Sequence, residues 1–533
     1  MGYCYTQMNT DKPRYITTPI YYASGHPHLG HAYSTILADC LARYSRLCGV
    51  ETKFTTGMDE HGLKIERIAQ KQGVTPQALV DDLAAVFAGT WKTLDITPDD
   101  FIRTTEERHK KTAQAMWQRM AQNDDIYLGS YEGDYCVDCE EYYQSSELVN
   151  ETDCPIHNRP VERISEESYF FKLSAYAPKL IAHIDSNPSF IQPQTRRNEV
   201  LAFLKGNEIR DLSISRTSFK WGVPVPGDDK HVMYVWVDAL VNYLSSLGGL
   251  DSPDLEKFWP NTTHIIGKDI LRFHAVYWPA MLMSAGLPLP KQLVVHGWWT
   301  IQDKKISKSE PATKVDPTIF VDDLTTDGVR FFLLHGLHLG SDGNLSFDDL
   351  IQEVNVHLVN NIANCLNRFC HMVFQNFDGQ LKDSDYADLT PEDEAVFKVL
   401  ESAGSTIQEQ MSKSNPAAAI DQVLAASSTL NTYIEDMAPW SLAKDPAQKP
   451  RLATVFGVIG AGLTWLAHNG SPFFPKLASK IAEQCGISEQ PLTWQTTAEL
   501  KPLTLHKGEV FLDRIKPQAA EALIEKWKNL PSD

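Results

Sequence analysis

Three groups of residues combine side-chain types and spacings that suit chemistry. The first is His28-Leu29-Gly30-His31. Two imidazoles can donate hydrogen bonds to a phosphate without the desolvation cost of a fixed charge, and Gly30 lets a ligand approach the backbone closely. The second is Lys304-Lys305-Ile306-Ser307-Lys308-Ser309, in a polar loop that ends at Pro311. Lysines on such a loop could fold over a triphosphate and offset the charge that builds on it as pyrophosphate leaves. Taken singly, the first also describes two loop histidines and the second a solvated charged loop. The third is Cys136-x-x-Cys139 with Cys154-x-x-His157, both pairs in turn-rich sequence. Four soft ligands at these spacings fit one closed tetrahedral Zn²⁺ site. A closed site leaves no position for a substrate, so this ion is expected to be structural and to hold together a segment with little core of its own.

The first motif needs a strand before it and a helix after it. Arg14–Tyr22 is rich in Thr, Ile and Tyr and reads as a strand, Ala23–Gly30 as a loop, and His31–Leu47 as a helix. An open α/β sheet places ligands there, beyond the carboxyl ends of its strands. The helix N-terminus adds free N–H groups and a dipole that attract phosphate. Val50–Thr56 predicts a second strand, and helices follow over Lys64–Gln72, Pro76–Lys92 and Glu106–Asn123, with Thr75 as a cap before Pro76. This alternation predicts a parallel sheet. It breaks between Tyr127 and Pro226, which hold the cysteine cluster, and resumes with apolar runs at His231–Val237, Thr263–Ile266 and Gln292–Gly297. The fold class expected is α/β: a Rossmann-like parallel sheet split by a zinc-bearing insertion. From Ile351 onward the pattern is helical over Leu350–Phe374, Pro391–Met411, Pro416–Met437 and Pro450–His468, with a last helix over Pro517–Leu530, which predicts an α-helical bundle.

Composition narrows the function classes. A chain of 533 residues implies about three or four domains. Its 43% apolar and 22% charged content is that of a soluble globular protein. No stretch reaches the roughly 18 apolar residues a membrane helix needs. The nearest, Leu452–Ala467, contains Gly457, Gly460 and Gly462 and reads as a buried helix, so no membrane partner is expected. The polar and aromatic Met1–Asn9 lacks a basic segment leading into an apolar one, so a cytoplasmic location is expected. The net charge of −19 weighs against nucleic-acid binding as a whole. Binding follows the local field, however, and one basic face would suffice. The nine cysteines are odd in number in a long chain, which argues against a disulfide framework.

The His28–His31 and Lys305–Ser309 motifs, in this order at opposite ends of one α/β domain, resemble the HIGH and KMSKS signatures of class I aminoacyl-tRNA synthetases, with Ile306 in place of Met. Within that class the chain is most similar to the methionyl family, over nearly its whole length. The resemblance rests on Thr18-Pro19-Ile20-Tyr21-Tyr22, Thr56-Gly57-Met58-Asp59-Glu60-His61-Gly62 and Tyr234-Val235-Trp236-Val237-Asp238-Ala239. It continues in Gly267-Lys268-Asp269-Ile270, Phe273-His274 and Ala438-Pro439-Trp440. It implies ATP-dependent ligation of L-methionine to the 3′ end of tRNA(Met), initiator tRNA included, through a methionyl-adenylate, with release of AMP and pyrophosphate.

The same resemblance implies roles. The methionine side chain would sit among Ile20, Tyr22, Trp236, Ala239, Tyr243, Ile270 and His274, with Leu240 where some members have Pro, and Asp59 would hold the substrate ammonium. Aromatic walls suit a polarisable thioether, and a carboxylate suits an ammonium. His28, His31, Lys305 and Lys308 would stabilise the transition state; with Gly30 and Ser307 they would bind ATP, which Mg²⁺ accompanies. Asn364, Arg368 and Trp440 would read the anticodon by hydrogen bonds and stacking, although on their own they better describe a helix-surface pair and a buried Trp. The implied domains are 1–125 and 231–325 for the two catalytic halves, 126–230 for the connective insertion with the zinc knuckle, 326–355 for a linking segment and 356–533 for the helical anticodon-binding domain with its C-terminal helix. A monomer is expected. Other readings fit less well. A cysteinyl enzyme would need its metal at the amino-acid pocket, a small nucleotidyltransferase has no use for the helical half, and a non-catalytic descendant has no use for intact phosphate motifs.

Overall fold

The computed structural model describes residues 12–137, 141–143, 148–155, 158–206, 208–301, 304–305 and 315–528. Its centre is a six-stranded sheet in the order Asp100–Arg103, Thr52–Asp59, Arg14–Tyr22, Thr262–Gly267, Gln292–His296, Ile191–Gln192. Every neighbouring pair is parallel. The Val- and Ile-rich runs Thr262–Gly267 and Gln292–His296 lie in its interior, mostly buried, as parallel strands covered on both faces must be.

Two elements depart from the sequence expectation. Ile191–Gln192 lies within the stretch assigned to the insertion, yet it forms the sheet's edge. Two residues are too few to show a period. The apolar run His231–Val237 does not join the parallel sheet. Asp228–Met233 instead pairs antiparallel in a separate three-stranded sheet, and Val235–Leu240 is a helix. A short apolar run fits a buried strand or a buried helix equally well. The rest of the insertion is built on a long antiparallel hairpin, Ile126–Cys136 with Glu162–Phe171.

The helical half contains Pro391–Ser412, Pro416–Met437, Lys449–Gly470 and Pro475–Gln484. Each has Pro in its first turn, where the missing N–H costs nothing. Lys449–Gly470 is the apolar helix at the bundle's centre, and its glycines are packing sites. A Cβ at Gly460 would lie 2.3 Å from Leu503, and one at Gly462 would lie 2.5 Å from Leu430. One apolar core runs from helix Leu29–Leu47 on the sheet through helix Val321–His335 into this bundle.

An ion pair sits inside that core. Arg330, on helix Val321–His335, meets Asp39, on helix Leu29–Leu47, at 2.7 Å, and both side chains are 0% exposed. Arg330 also donates to the carbonyls of Leu94 and Pro472. Asp39 accepts from Arg43 and from Thr97 N and Oγ1. Burial alone would raise the Asp39 carboxyl, but Arg330 and Arg43 beside it hold it below the usual range. Removing one member strands a buried charge. Arg330→Met is therefore expected to cost about 3 kcal/mol, read as a lower urea midpoint. Arg43→Met, which leaves the central pair intact, should cost clearly less; equal losses would show that the buried pair is not the anchor.

Candidate active site

The carboxyl ends of the central strands open onto a cavity of about 300 Å³. Ile20 and Tyr22 reach it from the first strand and Asp59 from the second. Trp236, Ala239 and Tyr243 come from the consecutive short helices Val235–Leu240 and Asn242–Ser245, and Ile270 and His274 from the segment after Thr262–Gly267. His28, Gly30 and His31 line the same cavity. The structure thus brings together every residue expected at the methionine site and the first phosphate motif.

The hydrogen bonds fix protonation on the aromatic side. His274 Nδ1 lies 3.0 Å from the Ile270 carbonyl oxygen and can only donate to it. Nε2 of the neutral ring then accepts from the Tyr243 hydroxyl at 2.7 Å. Burial pushes the His274 imidazole down to about 4, so the ring is neutral near pH 7. Trp236 stacks on Phe273 with ring centres 3.7 Å apart and planes within 4°. Phe273 was visible in sequence only as a neighbour of His274.

Beneath this wall lies a buried carboxylate. Asp238, on the helix that carries Trp236 and Ala239, accepts from His61 Nδ1 at 2.6 Å and from His109 Nε2 at 2.7 Å. Burial opposes its ionisation, but the two histidines bring the carboxyl down to about 2. His61 follows Asp59 and Glu60, so the carboxylate locks one wall of the cavity to the loop after the second strand. His109 lies far from every motif in sequence, and nothing local marked it.

The histidine motif is tighter than its sequence implied. The helix starts at Leu29, two residues early, because His28 is its cap. His28 Nδ1 accepts the Gly30 N–H and His31 Nδ1 accepts the His28 N–H, both at 3.1 Å. The rings stack at 3.6 Å. With Nδ1 occupied as an acceptor, each neutral ring carries its proton on Nε2. Gly30 also suits the cap itself: a Cβ there would lie 3.0 Å from the His28 ring and press on it. Further along the rim, His296 Nδ1 donates to the Gly297 carbonyl and Nε2 accepts from Ser34. Lys268 lies 3.9 Å from the Trp298 ring centre and pairs with Asp342.

Of the lysine motif, the backbone of Lys304–Lys305 pairs antiparallel with Trp299–Ile301, and Trp299 is on the cavity wall. Ser307 and Lys308 lie outside the described residues.

The other expected sites lie elsewhere. Cys136 and Cys154 are both buried, in one small cluster with Tyr143 at the hairpin's tip. The turn after Cys154 is closed by Cys154 N to Arg159 O at 2.8 Å and Asn158 N to Cys154 O at 2.9 Å. Cys139 and His157 lie outside the described residues. Both thiols are of the type that a soft cation takes, and Leu148 and Val161 pack against the cluster. In the helical half, Asn364 is exposed and Arg368 pairs with Glu435 at 2.6 Å. Trp440 is 44% exposed, which removes the reading as a buried core Trp.

The sequence family described as "tRNA synthetases class I (M)" matches residues 14–163 and 145–370. A methionine--tRNA ligase of Caldanaerobacter subterraneus subsp. tengcongensis is 42% identical over 521 residues, 97% of this chain and 81% of that protein. One of Bacillus subtilis is 41% identical over 527 residues, 96% of this chain and 79% of that protein. The structure of Mycobacterium tuberculosis methionyl-tRNA synthetase in complex with methionyl-adenylate superposes with a TM-score of 0.90 at 38% identity, over 94% of this chain and 99% of that one.

The depressed His274 makes stability pH-dependent. The unfolded ring titrates near 6.5 and the folded one near 4. Its stabilising contribution is therefore complete above pH 6.5 and is lost as pH falls towards 4. His274→Gln is expected to flatten that part of a stability–pH curve measured by denaturant midpoints. An unchanged slope would mean that the ring is already charged in the fold.

Proposed function

The chain belongs to the methionine branch of the class I tRNA synthetases, and from that membership we propose which of its residues do the work. The reaction is the ATP-dependent ligation of L-methionine to tRNA(Met) through methionyl-adenylate, with release of AMP and pyrophosphate; ATP enters with Mg²⁺. The observation that carries the assignment of roles is that one cavity at the strand ends holds both the stacked histidines and the aromatic wall.

Methionine lies with its thioether against Trp236, Tyr243, Ile270 and His274 and is flanked by Ile20, Tyr22 and Ala239. A neutral His274 suits this role, because a charged ring would favour water or an anion over a sulfur. Asp59 holds the ammonium, which leaves the carboxylate facing the α-phosphate. His28 and His31 donate from Nε2 to the phosphates over the helix start, where Gly30 keeps the cap compact. Lys305, Ser307 and Lys308 fold over the β- and γ-phosphates as the methionine carboxylate attacks in line. The terminal ribose hydroxyl of tRNA then attacks the acyl carbon of the adenylate. Positioning and charge stabilisation carry the reaction.

Cys136, Cys139, Cys154 and His157 hold one structural Zn²⁺ at the tip of the insertion. Asn364, Arg368 and the exposed Trp440 read the anticodon of elongator and initiator tRNA(Met), the indole offering a stacking face. We place the enzyme in the cytoplasm as a monomer.

Lys308→Ala should lower methionine-dependent ATP–pyrophosphate exchange about 10²–10³-fold with an unchanged circular-dichroism spectrum; near-normal exchange would sink the assignment. Elemental analysis of purified protein should find one zinc per chain, lost in Cys154→Ser. A metal-free wild type would overturn the zinc site.

A further inference from the structure

A second cavity lies at the opposite end of the sheet, beside the amino-terminal ends of the strands. Its volume is about 180 Å³. Arg14 begins the strand Arg14–Tyr22, and Lys291 precedes the strand Gln292–His296; both line the cavity. Ser189 and Thr263 line it from the side of the sheet, and Ser412 and Ser414 from the end of helix Pro391–Ser412, where the Ser412 hydroxyl donates to the Glu409 carbonyl. No carboxylate is among the residues that line it.

The two cations are unusual for so acidic a chain. Among the described residues, Arg14 and Lys291 form no ion pair. The side chain of Arg14 makes one hydrogen bond, to Ser45 Oγ at 3.2 Å. Carboxylates are close in sequence but are engaged elsewhere. Glu51 takes the Arg14 N–H on its carbonyl while its side chain pairs with Lys257 at 2.5 Å. Burial, Arg14 and Lys12 together push the Lys291 ammonium below its usual value, so the positive charges crowd one another. Ser414 is buried and holds φ at 56°, the left-handed residue that ends helix Pro391–Ser412 with its N–H bonded to the Met411 carbonyl.

We propose that this cavity is an anion site that takes one free tetrahedral oxyanion of the phosphate type, clamped between the sheet and the turn of the helical hairpin. Arg14 offers a fork of N–H donors and Lys291 a mobile ammonium, with Ser189, Thr263 and Ser414 beside them to add hydroxyl donors. An oxyanion there relieves the repulsion between the cations and bonds the catalytic half to the helical half. The cavity is smaller than the active-site cavity, which suits an inorganic anion better than a nucleotide. The site stands independently of the roles assigned at the active site.

Isothermal titration of inorganic phosphate tests it. The protein is first saturated with methionine and a non-hydrolysable ATP analogue, and ionic strength is held constant with chloride. One phosphate should bind per chain, sulfate should compete, and AMP should not. Arg14→Gln should weaken binding about tenfold. Lys291→Gln, whose side chain is partly covered at the surface and whose loss leaves the core intact, should also weaken it, and both variants should keep normal ATP–pyrophosphate exchange. No binding to the wild type, equal binding to Lys291→Gln, or displacement by AMP would each overturn the proposal.

Discussion

The structure turns on one buried ion pair, Asp39 with Arg330. Taking two charges out of water is costly, so such a pair survives only where geometry and further hydrogen bonds are fixed. Here the surroundings are drawn from three parts of the chain. Asp39 lies on helix Leu29–Leu47, whose first turn presents the stacked histidines. Arg330 lies on the helix that follows the lysine motif and bonds the carbonyl of Pro472 in the helical half. Nearly one turn earlier on the same helix, Asp327 accepts the N–H of Leu477 and caps helix Pro475–Gln484. Helix Val321–His335 is therefore a joint made of polar contacts that have only one satisfactory arrangement. The apolar core around it supplies most of the stabilisation, but apolar contacts alone would tolerate several packings.

The active-site cavity uses the same economy of charge with opposite outcomes for neighbouring groups. His274 is buried without a carboxylate partner and stays neutral; Asp238 is buried between two histidines and stays ionised. The neutral ring faces the cavity, and the ionised carboxylate lies behind the wall. A charge placed behind a wall orients it without attracting water into the pocket. That arrangement suits a substrate whose distinguishing group is a thioether and whose charges sit at its other end.

Much of this was legible in the sequence because the signals were local. Histidines beside a glycine and prolines at helix starts each act within a turn or two of chain. Arg14–Tyr22 and Pro416–Met437 fall where the sequence placed them. What escaped was set by distant partners. Ile191–Gln192 is a strand because Leu293 and Val294 lie beside it. His109 matters because Asp238 sits 2.7 Å away. Gly30 was read as room for a ligand, and the structure adds a second constraint, the His28 ring 3.0 Å from where a Cβ would stand. The exposure of Trp440 likewise depends on what does not pack against it.

The apolar run His231–Val237 shows why such a misreading bears on function. Along a strand, alternate residues share a face, so Trp236 and Asp238 would point the same way and Ala239 the other. The chain instead turns at Tyr234 into the helix Val235–Leu240. Residues three and four apart then share a face, and Trp236, Ala239 and Leu240 all line the cavity. Asp238 is rotated away beneath them, where His61 and His109 can reach both carboxylate oxygens. Only the helical winding separates the apolar wall from the ion that fixes it. A strand with the same residues would have put a carboxylate into the pocket beside the indole. The hydrophobic pattern of the run is compatible with either winding, so it is the Asp238–histidine bonds, made across long sequence distances, that select the one able to hold an uncharged side chain.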